Sequence, residues 1–513
     1  YSNGVCGTPT TNAVTKANGG ISISSYSYLV GRTLNNAGVA SYTSGYYLAL
    51  NNGTIVNNLA KAVWDVSNGG RLYSSDATGV FNNAGTFRSL GNGSSSIQAT
   101  FNNTGLVEMT GTSTQQFADG GSCGSSCSGS WSVSSGSTLQ FYNGTFALSG
   151  AISGAGTVIH SATETLTGTY NVTGATNLTG TVSFGIVSSV GVLTVSSGVA
   201  NFGKNALTVP SMTLSGGTFY GTGTLTVTGL LTFGGGSMCT LYSSGSCVTP
   251  TTNALTNANG GISISSYSYL LGRTLNNAAA ASYTSGYYLS LSNGAIVNNP
   301  AKAVWDVSNG GGFRSSDGTG VFNNAGTFQS SGSGSSSIQT IFNNSGTVQS
   351  AAVISFADAF TQTKGSTILS GGTISFSAGT FDTGIFSGSG TGGGSIMNVG
   401  AVLAPGDSTN IGTINLASGS AYVQNSKAAY DVKIGGTSNG KYDQVNISGT
   451  ATLGGALNVT AINGYVPKPG DSVTVMTFSS ATGQFATVTK GWVPTYNSTS
   501  VVLKYKGMTY SAQ

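Results

Sequence analysis

The sequence predicts an all-β protein, an elongated right-handed parallel β-solenoid (β-helix) ending in a C-terminal β cap module. Three observations lead there. The chain duplicates itself: residues 6–105 align with residues 247–346 without a gap, and about four positions in five are identical. A shorter unit of about twenty residues recurs inside each copy. The composition is that of strands and tight corners, with 80 Gly, 23 Tyr, 21 Phe and only 8 Pro among 513 residues.

Composition also sets aside other classes. Charged residues make up 6%, against about 25% in an average soluble protein. Disorder goes with low hydrophobicity and high net charge, whereas this chain is 38% hydrophobic with a net charge of +4. The apolar residues are largely β-branched and aromatic, which suits strands, and scarce Pro spares the ladder hydrogen bonds. No stretch has helical periodicity and no run of apolar residues reaches membrane-spanning length, so no transmembrane helix is expected. No secretory signal is visible at Tyr1, and the start reads as a mature end left after processing. The basic residues are isolated, apart from a loose group at Lys427, Lys433 and Lys441. Nucleic-acid binding needs a basic stripe, so nucleic acid is not an expected partner.

The first solenoid copy is assigned to residues 1–241. Within it Phe81-Asn82-Asn83-Ala84-Gly85-Thr86-Phe87 is followed by Phe101-Asn102-Asn103-Thr104-Gly105-Leu106-Val107. Each unit reads as an apolar residue, an Asn pair, a Gly corner and an alternating strand. Such a unit cannot bury its own inner face, so units stack as coils. Stacking sets Asn over Asn, in ladders that exchange side-chain amide hydrogen bonds. The second copy, 242–395, repeats the pattern at Phe322 and Phe342, and Trp64 recurs as Trp305. Residues 396–513 lack the Asn pairs and are assigned to a C-terminal β module or cap. About 20–25 coils would give a rod on the order of 100 Å long. An array of β-sandwiches would also show short strands, but not the stacked phase.

Catalytic chemistry is sparse. The 13 carboxylates are dispersed and there is one histidine, so neither metal nor cofactor is expected. His160, in Thr157-Val158-Ile159-His160-Ser161, is read as having no acid or Cys near it in sequence and so as a solvent-facing strand residue or a satisfied polar position. The best enzyme candidates are the acid pairs Asp65 with Asp76 and Asp306 with Asp317, which recur beside Arg32/Lys61 and Arg273/Lys302. A salt bridge or turn cap repeats naturally in a duplicated chain, whereas an intact duplicated catalytic site is unusual. The expectation is therefore that the protein is not an enzyme.

Two residue sets point to other roles. Tyr26, Tyr28, Tyr42, Tyr46 and Tyr47 recur as Tyr267, Tyr269, Tyr283, Tyr287 and Tyr288. Exposed tyrosines offer stiff, amphipathic adhesive surface, while alternation would turn some of them into the core. The five cysteines are an odd number for an oxidising compartment. Cys123 with Cys127, and Cys239 with Cys247, bracket short Gly-containing loops and are expected as local disulfides. Cys6 is left either as an unpaired thiol or as a link to a neighbouring subunit.

The chain resembles the passenger regions of bacterial autotransporters and the filamentous-haemagglutinin-like exoproteins with autotransporter-associated β-strand repeats. The carrying residues are the Phe-Asn-Asn-x-Gly units, Leu369-Ser370-Gly371-Gly372-Thr373, and three C-terminal strings. These are Val402-Leu403-Ala404-Pro405-Gly406-Asp407-Ser408, Tyr442-Asp443-Gln444-Val445-Asn446-Ile447-Ser448-Gly449 and Gly464-Tyr465-x-Pro467-x-Pro469-Gly470-Asp471. The resemblance implies an extracellular or cell-surface adhesin, biofilm component or surface fibre. Autotransporters end in a membrane barrel, for which no room remains before Gln513, so either a barrel has been removed or export takes another route. With the repeat architecture and low charge, the expectation is an extracellular structural or adhesive protein, probing cell-surface glycans or proteins and assembling head to tail with itself. A β-helix polysaccharide-degrading enzyme or a tailspike-like receptor-binding protein is the alternative.

Overall fold

The computed structural model describes residues 10–42, 45–67, 69–121, 127–417 and 419–507. Among them there is no helix, and the strands stack in parallel as a β-solenoid of about 20 turns. The chain divides into two compact units, Tyr1–Val248 with Ala254–Thr256, and Thr249–Asn253 with Asn257–Gln513.

In the first unit each coil contributes one strand to each of three ladders. The first ladder stacks Ala13–Ala17, Arg32–Asn36, Ile55–Asn58, Val80–Asn83 and Thr100–Asn103. The second runs through Ile21–Ile23, Val39–Tyr42, Val63–Val66, Thr86–Ser89 and Leu106–Met109. The third runs through Ser27–Val30, Tyr47–Asn51, Arg71–Tyr73, Ser94–Gln98 and Thr114–Ala118. Register follows the repeat: Phe81 pairs with Phe101 and Asn83 with Asn103.

Alternation turns every second side chain inward. Phe81, Phe87, Phe101, Phe117 and Trp131 are buried, and rungs about 4.8 Å apart bring their rings into contact. Phe81 stacks on Phe101 with centroids 5.4 Å apart and planes 9° apart, and Phe184 on Phe202 at 4.5 Å and 6°.

The asparagine pairs form two ladders of opposite polarity. In the buried one the amide of Asn36 donates to Asn58, Asn58 to Asn83 and Asn83 to Asn103, at 2.8–2.9 Å. In the outward one Asn102 donates to Asn82, Asn82 to Asn57 and Asn57 to Asn35. The buried amides also close the corners: Asn83 Nδ2 donates to the Leu106 carbonyl, and Asn103 Oδ1 accepts from the Gly105 N–H. Gly at these corners answers to stacking rather than to backbone twist. A Cβ on Gly105 would lie 2.0 Å from the Gly85 carbonyl of the coil before.

At the end of the first unit Leu241–Ser243 and Ser246–Val248 form an antiparallel hairpin. Its turn, Ser244-Gly245, has φ of 51° and 83°, the signature of a two-residue type I′ turn. Cys239 and Cys247 are bridged across it, with Cα atoms 6.0 Å apart.

The second unit repeats the scheme. Its buried ladder runs Asn277, Asn299, Asn324, Asn344 and then Gln362, which takes over as acceptor from Asn344 at 3.1 Å. The strands then lengthen into Val353–Gln362, Ser366–Phe381 and Ile385–Asn398, bent where the register shifts. Beyond them the ladders stay parallel on longer coils, with Thr413 opposite Gln444 and Ala429 opposite Ala456. Two of the C-terminal strings meet at one buried corner, through Pro405 and Asp443. Asp443 accepts from the N–H groups of Gly412 and Lys433 and pairs with Lys433 Nζ at 2.7 Å, which also donates to the Pro405 carbonyl. Burial raises the Asp443 pKa, against the opposing pull of Lys433 and Gly412. Along Ser472–Thr477 the parallel order ends, because Ser500–Tyr505 pairs with it antiparallel.

Candidate functional site

The tyrosines of each copy gather on the outward side of the third ladder. In the first unit Tyr28, Ala49 and Tyr73 are in register on successive coils, and Tyr26, Tyr46 and Tyr47 lie in the adjoining turns and strand start. Tyr26 packs against Tyr46 and Tyr47 with ring centroids 5.0 and 4.6 Å away. Tyr47 lies edge-on to Tyr28 and Tyr73, and its hydroxyl is 2.8 Å from that of Tyr28. That hydrogen bond to Tyr28 is the main cause that raises the Tyr47 pKa. Tyr28 is 65% exposed.

The second unit places Tyr269, Ser290 and Arg314 in register. Tyr267 meets Tyr287 edge-on at 5.1 Å and lies nearly parallel to Tyr288, 9° between planes. A short residue flanked by long ones leaves a groove of about 270 Å³, lined by Tyr267, Tyr269, Tyr288, Arg314 and three serines, Ser268, Ser290 and Ser316. Tyr267 and Tyr269 are exposed, and Tyr287 and Tyr288 half-buried. Tyr42 and Tyr283 belong to the core instead: both are buried, and their hydroxyls donate to the carbonyls of Arg71 and Gly312.

No protein-family model matches the chain, and no curated protein does. The site is therefore read from its own geometry.

The acid pairs do not face a common cleft. Asp65 lies on the second ladder, where Arg88 holds it through two parallel bonds of 2.7 and 2.8 Å. Its partner is thus the residue on the next rung, not Arg32 or Lys61. Asp306 accepts from Gln329 at 3.1 Å and from the N–H and hydroxyl of Ser308. Asp76 closes a turn: it accepts from the Asn52 N–H at 2.6 Å and from Thr78 and Ser74. The Asn52 bond, ahead of the others, pulls its pKa from 3.8 to about 2. Asp317 closes the equivalent turn, accepting from the Asn293 N–H, Thr319 and Ser315.

His160 is a core residue, not a solvent-facing one. It is in register with Phe141 and stacks on it at 5.8 Å and 20°. Its Nδ1 lies 2.6 Å from Glu164 and its Nε2 3.1 Å from the Tyr170 hydroxyl, which reaches Thr176 at 2.9 Å. The whole chain of groups is buried. Burial raises the Glu164 pKa, partly offset by His160. The expectation that no acid lies near His160 in sequence is corrected: Glu164, four residues on, is its partner. Alternation with Leu166 would have turned Glu164 inward.

Cys127 is disulfide-bonded, and Cys123 and Cys6 lie outside the described residues. Among the described residues no three His, Cys, Asp or Glu side chains gather as metal ligands, and no helix is long and apolar enough to cross a membrane.

Proposed function

We propose that this chain is an extracellular structural and adhesive protein, the subunit of a surface fibre that grows by stacking the coils of one copy on those of another. One observation carries this reading. The coil at 13–30 and its counterpart at 254–271 differ only at Val14/Leu255, Lys16/Asn257 and Val30/Leu271, yet they are buried differently. Ala258, Ile262, Ser268 and Leu270 are at most 1% exposed, whereas Ala17, Ile21, Ser27 and Leu29 are only half-buried. Among the described residues Ala13–Ala17 and Ser27–Val30 pair on one side only. The same sequence is thus packed away in one place and, among the described residues, less covered in the other. A strand paired on one side only is a template for another strand, and a second copy carries the matching coils.

Other features support the reading. The Cys239–Cys247 bridge suits an oxidising compartment. Lys16, exposed on the edge strand where the second copy has Asn257 in its ladder, discourages indiscriminate pairing and favours one defined contact. The antiparallel pairing of Ser500–Tyr505 with Ser472–Thr477 supports reading residues 396–513 as a cap. The tyrosine faces supply adhesive surface, and the carboxylates that might have served hydrolysis are engaged in turns and pairs.

Sedimentation velocity and negative-stain microscopy of the purified chain test the assembly. Fibres, or mass that grows with concentration, are expected. Leu29→Lys, which points a charge into the edge coil, should abolish both. Dispersed monomers of the unaltered chain at high concentration would overturn the fibre reading.

A further inference from the structure

We propose that the two tyrosine faces are binding sites for acidic saccharides, each built from stacked tyrosines and one guanidinium. The proposal rests on the adhesive half of the function above and names its ligand.

The groove of the second unit has the required parts. Tyr269 and Arg314 stand two rungs apart, roughly 10 Å on the strand spacing, with the short Ser290 between them. This leaves a slot of about 270 Å³ over Ser290. Tyr267 and Tyr288 present nearly parallel rings to it, and a tyrosine face takes the apolar C–H face of a pyranose while its hydroxyl stays free to hydrogen-bond. Ser290 and Ser316 supply small donors and acceptors. Among the lining residues Arg314 alone is charged and there is no carboxylate. Arg314 also makes no ion pair among the described residues. A guanidinium with its fork unused matches a carboxylate bidentately. A peptide would need an apolar pocket for its anchoring side chains, and the groove's lining of tyrosines, serines and one arginine has no aliphatic side chain to form one.

The first copy supports the assignment through a compensated change. Tyr73 occupies the position of Arg314, and Arg71 that of Gly312. Two residues along a strand is one full period of alternation, so the arginine has moved without leaving the outward face. Arg71 is in register with Tyr47, is exposed, and likewise makes no ion pair among the described residues. Each face thus keeps several tyrosines and one unpaired arginine, although the arginine sits at a different position in each.

Calorimetric titration of the full chain with an oligogalacturonate tests this, with its methyl ester as the uncharged control and oligoglutamate as the polyanion control. Two sites per chain are expected for the oligogalacturonate, binding at least about tenfold more tightly than the ester. Arg314→Gln and Arg71→Gln should each remove one site, and the double variant both. Tyr267→Ala should remove the second-unit site with Arg314 left in place. No binding of oligogalacturonate, binding unchanged in the double variant, or equal binding of oligoglutamate would each overturn the proposal. Fibres that form while the saccharide fails to bind would overturn this inference alone and leave the assembly reading standing.

Discussion

Asp76 and His160 show how few ionisable side chains this chain spends, and on what. Asp76 is solvent-exposed, yet its carboxylate gathers the Asn52 N–H and the Thr78 and Ser74 groups around itself. Its pKa is depressed, so the stability it lends the turn is present above the ordinary value of 3.8 and is lost as pH falls through about 2. An NMR titration should place its midpoint near 2, with the turn loosening over that window, while a midpoint near 3.8 would show the cap is not formed. His160 and Glu164 are the opposite case, a hydrogen-bonded pair in an otherwise aromatic core. His160→Phe leaves a buried carboxyl without its partner and should cost about 3 kcal/mol of local stability, read by amide exchange of Thr157–His160. His160→Phe with Glu164→Leu should recover most of that loss. A double variant no better than the single one would show that the pair is not the source. At this scale the sequence was only partly legible. Alternation alone marks Phe81 or Trp64 as inward. What His160 touches depends on which residue the corner folds back against it, and that lies in the coil geometry.

The asparagine ladder carries the element-scale account, and it was the most legible feature of the chain. The Phe-Asn-Asn-x-Gly spacing set register and stacking between Asn82 and Asn102, twenty residues apart, whereas Asn57, 25 residues before Asn82 in Ile55-Val56-Asn57-Asn58, lies outside that pattern. The two polarities were not legible, since they depend on which way each amide faces. They have unequal weight. Asn83 is buried and serves both its neighbours and the Leu106 carbonyl, so Asn83→Ala strands several buried groups and should cost about 2–3 kcal/mol. Asn82 is half-buried, and Asn82→Thr should cost under about 1 kcal/mol. Amide exchange across Val80–Asn83 and Thr100–Asn103 distinguishes the two. Equal losses would mean that the inner ladder does not organise the corners. The candidate site was legible as a list of tyrosines but not as a groove. Tyr42 and Tyr28 differ only in the parity of their strands, and the slot exists because Ser290 happens to lie between Tyr269 and Arg314.

For the whole molecule, duplication is the decisive fact. A solenoid built from nearest-neighbour contacts has no natural end, so each repeat is stable to the extent that something lies over it. The same residues are buried at Ala258, Ile262, Ser268 and Leu270 and half-buried at Ala17, Ile21, Ser27 and Leu29. Low charge and the one-sided pairing of Ala13–Ala17 and Ser27–Val30 among the described residues support the proposed stacking of one copy on another. The most direct test is hydrogen exchange followed against protein concentration. If a second copy covers the edge, amides of Ala13–Ala17 and Ser27–Val30 gain protection as concentration rises, while those of Thr100–Asn103 do not change. Exchange of the edge strands that is the same at every concentration would contradict the account.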